Sequence, residues 1–98
     1  MNATITTITN TNAGYYNVTT HTLCYRMVIV TKKFDTNTSE YALTTVYGEM
    51  RKDKYAAAVD VHAVRYNAYQ KDYTVEMDGE TMTISNQDEI LTVTIESL

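Results

Sequence analysis

The sequence predicts an α+β fold: an antiparallel β-sheet of about six to seven strands with one helix at about 54–70 packed on it. Three observations lead there. Lys54 to Gln70 is the only long stretch free of turn residues and of period-two alternation. Asp78-Gly79 separates two alternating segments, as a hairpin turn does. Threonine and β-branched residues fill most of the remainder, where strand geometry suits them.

Taken in order, residues 3–9 are β-formers ending at the turn-like segment 10–14, and Tyr15 to Thr20 is expected to pair back onto them. Leu23 to Thr31 is the most apolar run in the chain. Its length and β-branching predict a strand crossing the middle of the sheet. The polar cluster Asp35 to Ser39 then reads as a hairpin loop into a strand from Tyr41 to Tyr47, which Gly48 ends. Asp53 is placed to cap the helix, and Lys71 complements the negative end of its dipole. Beyond it, Tyr73 to Met77 and Glu80 to Ile84 flank Asp78-Gly79. As a two-residue loop, this pair sets Met77 opposite Glu80, Val75 opposite Met82 and Tyr73 opposite Ile84. In the last strand, from Glu89 to Ser97, Leu91, Val93 and Ile95 alternate inward, with Thr92, Thr94 and Glu96 outward.

Ninety-eight residues without a repeat, linker or composition break make a single domain, 1–98, because two cores in so short a chain would each be too small. One cysteine, Cys24, allows no intrachain disulfide, which favours a reducing compartment. The first twenty residues lack a basic start and an apolar run of signal-peptide length, and no segment is apolar enough to span a bilayer. A cytoplasmic protein that does not engage membranes is expected.

The chemistry of catalysis is not evident. His21, Cys24 and His62 do not make a zinc ligand set, and Cys24 within an apolar strand is expected to be a buried, unreactive thiol. There is no nucleophile elbow or glycine-rich phosphate loop, and carboxylates paired at turns stand in water, where acid–base work is poor. The expectation is a non-enzyme with no cofactor and no metal.

Two surface features remain. Residues 72–98 hold seven acids and no base, a charge of −7, whereas residues 1–71 carry +3, giving the net −4. Carboxylates spaced on a β-surface can imitate a phosphate backbone, although net acidity also simply keeps a small protein soluble. Direct nucleic-acid binding is disfavoured, since Lys32-Lys33 and Arg51-Lys52-Lys54 are short clusters and not a stripe. On the helix, Ala57, Val61, Val64 and Ala68 form one apolar strip and Tyr55, Val59, His62, Tyr66 and Tyr69 another, with Arg65 between. The small-residue strip suits close packing on the sheet. The tyrosine strip then either closes the core edge or stands exposed as an interaction hot spot.

Short length, Asn/Thr/Tyr-rich composition, absence of Pro and Trp, net acidity and the missing catalytic constellation together resemble the small phage-encoded inhibitors of bacterial defence, anti-CRISPR proteins above all. Those inhibitors share no common signature, so no residue roles carry over. The resemblance implies a protein partner, a CRISPR-Cas effector or other nucleic-acid-binding complex, blocked in the cytoplasm of a bacterial host. The residues expected at the contact are Glu76, Asp78, Glu80 and Glu96, with Arg65, Tyr66 and Tyr69 as a second patch. The alternative is a homo-oligomeric structural or accessory protein of a phage or mobile element, a homodimer in the simplest case, associating through the tyrosine strip or an edge strand.

Overall fold

The computed structural model describes residues 3–10 and 16–98. The strands are β1 (Ala3–Asn10), β2 (Tyr16–Leu23), β3 (Tyr25–Asp35), β4 (Glu40–Tyr47), β5 (Thr74–Asp78), β6 (Thr81–Ser85) and β7 (Glu89–Ser97), with one helix, α1 (Lys54–Gln70). The α+β class and the helix bounds agree with the sequence reading. The strands form two sheets and not one: β1 pairs antiparallel with β2, and the others form a five-stranded sheet in the order β4-β3-β7-β6-β5. The expected turn after Asn10, and Tyr15, lie outside the described residues.

α1 begins where Asp53 Oδ1 accepts the Ala56 N–H at 2.8 Å, the N-cap anticipated from sequence. It ends in a Schellman-type turn. Asp72 adopts φ 60°, and the Tyr73 and Lys71 N–H groups both donate to the Ala68 carbonyl. This turn delivers Tyr73 to the core edge, where, like Val61, Val64, Val75 and Leu91, it packs against the buried cluster.

The core is small. Met82, Ile84, Val93, Met27 and Ala68 form its buried cluster, and the Ala57/Val61/Val64/Ala68 strip of α1 faces it. Helix and sheet approach closely there because alanine keeps the axis near the strands, as the strip predicts. α1 lies over β3, β7 and β5, so β4 is exposed along its whole length.

Three expectations are corrected. In the β5–β6 hairpin Asp78 pairs with Thr81, Met77 with Met82 and Val75 with Ile84, so the two-residue loop is Gly79-Glu80. The φ of +61° falls on Gly79 as the first loop residue, the position at which a type II′ turn requires glycine. Since the slip is by two residues, every side chain keeps its expected face. Second, β7 and not β3 holds the middle of the sheet; β3 lies beside it and runs on to Asp35, because Lys32 and Lys33 still pair with a strand on each side and Phe34 and Asp35 pair with Tyr41 and Glu40 of β4. Third, Cys24 is half-buried between β2 and β3, its N–H donating to the Arg51 carbonyl and its carbonyl accepting from Leu98 N–H.

Candidate interaction surface

α1 covers one face of the five-stranded sheet, the one bearing Met27, Ile29, Leu91, Val93, Met82 and Ile84. Strand alternation sends the neighbours of those residues to the opposite face: Arg26, Val28, Val30, Lys32 and Phe34 from β3, and Tyr41, Leu43, Thr45 and Tyr47 from β4. The β3–β4 register sets Val28 opposite Tyr47, Lys32 opposite Leu43 and Phe34 opposite Tyr41.

The side chains form a connected layer. Arg26 lies over the Tyr47 ring, its Cζ 3.9 Å from the centroid, and its Nε also donates to Glu96, its cross-strand partner on β7. Lys32 Nζ stands 4.7 Å from the Tyr41 centroid, and Tyr41 meets Phe34 edge to face at 5.3 Å. Leu43 is 70% exposed, Tyr41 61% and Tyr47 53%. Aromatic rings carrying stacked cations beside exposed aliphatics are the composition of protein-contact hot spots: large apolar area with few rotamers, and a charge already partly desolvated.

The acids expected at a contact do not converge. Glu80 is ion-paired with Lys54 at 2.6 Å and Glu96 with Arg26, so both negative charges have basic partners within the chain. Glu76 shares the uncovered face with Glu96. Two strand spacings and four residues of rise separate them, on the order of 15 Å. Asp78 ends β5 at the hairpin tip. Tyr66 and Tyr69 are each 61% exposed, on the side of the sheet that α1 covers, and Arg65 donates to His62 Nδ1 at 3.0 Å. The seven expected residues thus fall on two opposite sides of the molecule.

A shallow apolar groove of about 540 Å³ runs between α1 and the β5–β6 hairpin, lined by Tyr55, Ala58, Val61, Met77 and Ile95 with the Lys54–Glu80 pair at its rim. It contains no nucleophile–base pair. Among the described residues no group of three or more His, Cys, Asp or Glu could hold a metal ion, and no helix is long and apolar enough to cross a membrane. Arg51 and Asp60 form a two-pronged ion pair, with Nε to Oδ2 at 2.8 Å and Nη2 to Oδ1 at 2.9 Å. That arrangement holds the Asp60 carboxyl below its ordinary range, so it is a poor proton acceptor and serves as a strut between the β4–α1 connection and the helix.

The β3–β4 layer was missed in sequence because β3 is apolar on both faces, and alternation alone cannot say which face a helix will take. The usable signal was the partner strand. Tyr41, Leu43 and Tyr47 recur at period two against Val28, Lys32 and Phe34.

The chain matches no known family model, no curated protein and no solved structure.

Proposed function

We propose that this protein is a non-enzymatic binding protein that acts by contact, in the manner of anti-CRISPR inhibitors, on a nucleic-acid-handling protein complex of a bacterial host. The observation that carries the reading is the uncovered β3–β4 face, on which Tyr41, Tyr47 and Phe34 stand exposed with Lys32 and Arg26 stacked on the tyrosines. A solvent-facing sheet of no further use is ordinarily polar, and an apolar patch of this kind marks an interaction site. The pairing of Glu80 and Glu96 with basic residues favours an aromatic contact over phosphate mimicry, since a mimic needs unneutralised charge.

The test is an interference assay, in which a CRISPR-Cas effector clears a target plasmid in the presence of the protein. Tyr41→Ala with Tyr47→Ala is expected to abolish inhibition while the far-ultraviolet spectrum stays native. Inhibition retained by that variant but lost on reversal of Glu76, Asp78 and Glu80 to lysine would restore the mimicry reading. Wild-type protein that leaves plasmid clearance unaffected by every effector tried would remove the inhibitor reading altogether.

A further inference from the structure

The two edges of the five-stranded sheet differ sharply. β5 is five residues long and carries Glu76 and Asp78, the short, charged design that keeps an edge from pairing with another chain. β4 is eight residues long, its single charge is Glu40 at the very start, the chain contains no proline, and every position of the strand is exposed. Nothing in its sequence blunts it.

Its unused backbone groups can be assigned. The Gly48 N–H donates to the Met27 carbonyl, and the Phe34 N–H donates to Asp88 on the other side of β3. Odd-numbered residues of β3 therefore bond toward β4 and even-numbered ones toward β7. It follows from the register that Ala42, Thr44 and Val46 turn their backbone groups inward to β3. Tyr41, Leu43, Thr45 and Tyr47 turn theirs out to the open edge.

We propose that β4 is the seam of a homodimer, in which two copies of this chain pair Glu40–Tyr47 antiparallel about a two-fold axis at Thr44, joining their sheets edge to edge. The pairing is self-complementary. Tyr41 lies opposite Tyr47 of the second copy and Leu43 opposite its Thr45, so each outward N–H and C=O meets another. Each side chain also meets one from the same sheet face, because a two-fold axis normal to the sheet preserves the face. On the uncovered face each Tyr47, with Arg26 on its ring, lies beside Tyr41 of the second copy, whose ring carries Lys32 and meets Phe34.

Charge favours the same occupant. The strand from Tyr41 to Tyr47 is uncharged, Glu40 falls opposite Gly48, and no two like charges are set directly opposite. Glu49, the acid that follows Gly48 at the far end of the seam, already has a base within its own chain, with Arg51 Nη1 at 3.2 Å from its carboxylate. A single-strand seam is smaller than a standard interface of about 800 Å² per partner, so the dimer is expected to dissociate in the micromolar range. This inference does not rest on the proposed function.

The experiment uses the full chain with Cys24→Ser. Thr44→Cys in that background is expected to form a disulfide-linked dimer under mild oxidation, because the residue on the axis faces its own copy in a non-hydrogen-bonded pair about 4.5 Å apart, within disulfide reach. Leu43→Cys, which faces Thr45 of the second copy, is expected not to. In sedimentation equilibrium the wild type should show a concentration-dependent dimer, and Thr45→Pro, whose N–H points away from β3, should weaken it roughly tenfold or more. If that variant misfolds, Leu43→Lys at a 70% exposed position supplies the same test. A wild type that remains monomeric at millimolar concentration would overturn the inference, as would Leu43→Cys cross-linking as readily as Thr44→Cys.

Discussion

Arg26 is held between two partners of different kind: the Tyr47 ring, 3.9 Å from its Cζ, and the Glu96 carboxylate, which accepts from its Nε. The three residues come from β3, β4 and β7, so the guanidinium ties adjacent strands together on the face that α1 leaves open. Removing Arg26 leaves both an exposed ring and an unpaired acid. Arg26→Ala is expected to cost about 1 kcal/mol in urea unfolding, and a double-mutant cycle with Tyr47→Ala to give a coupling of about 0.5–1 kcal/mol. Lysine at 26 should recover only part of this, since it retains the charge but not the planar fork.

The two ends of α1 respond to substitution with opposite sign. Asp53→Ala removes the acceptor of the Ala56 N–H and is expected to destabilise by about 1 kcal/mol. Asp72 stands at φ 60° in the C-terminal turn, where a Cβ is unfavourable, and Asp72→Gly is expected to stabilise by about 0.5 kcal/mol. Thermal unfolding of the two variants checks both signs.

Legibility in the sequence followed locality. Asp53, the strip of small residues and the break after Gln70 lie within one helix, and they fixed α1 and the face it buries. The β5–β6 hairpin was found from Asp78-Gly79, but its register depends on which residue takes positive φ. A Gly in the sequence does not reveal whether it occupies the first or second loop position. Longer-range relations were harder. That β1 and β2 form their own sheet, that β3 sits between β4 and β7, and that Glu96 is answered by Arg26 are decided by pairings between distant segments. The acid-rich stretch 72–98 looked uniform as a string, yet the folded sheet carries its Glu80 and Glu96 to bases from other elements.

A core of this size makes individual side chains matter. Met82 and Val93 are fully buried and are direct cross-strand partners beneath α1. Met82→Ala is expected to cost about 2–4 kcal/mol, because the strands on either side hold the cavity open. Met82→Leu, which conserves volume, should cost less than about 1.5 kcal/mol. Exposed Leu43, although similarly apolar, should give less than about 0.5 kcal/mol on replacement by threonine in the monomer. Chemical denaturation at low protein concentration separates the three.

The pH dependence of stability has a limb that can be assigned at each end. The two-pronged hydrogen bond from Arg51 lowers the Asp60 pKa in the folded state, so this carboxylate contributes stability that is complete above its unfolded pKa of about 3.9 and is lost as pH falls through the depressed folded value. Tyr73 donates its hydroxyl proton to Glu89, and that bond, with partial burial and the nearby charges of Glu89 and Asp88, raises its pKa. A raised phenol pKa means that its contribution is complete below the unfolded value near 10 and is lost as pH rises through the folded one. Asp60→Asn is therefore expected to flatten the loss of stability below about pH 4 while leaving the alkaline limb unchanged. Tyr73→Phe should do the reverse, flattening the limb above about pH 10. Unfolding free energies measured across the pH range for the two variants and the wild type would show the separation, and an acid limb unaltered in Asp60→Asn would mean that the Arg51–Asp60 pair does not persist in solution.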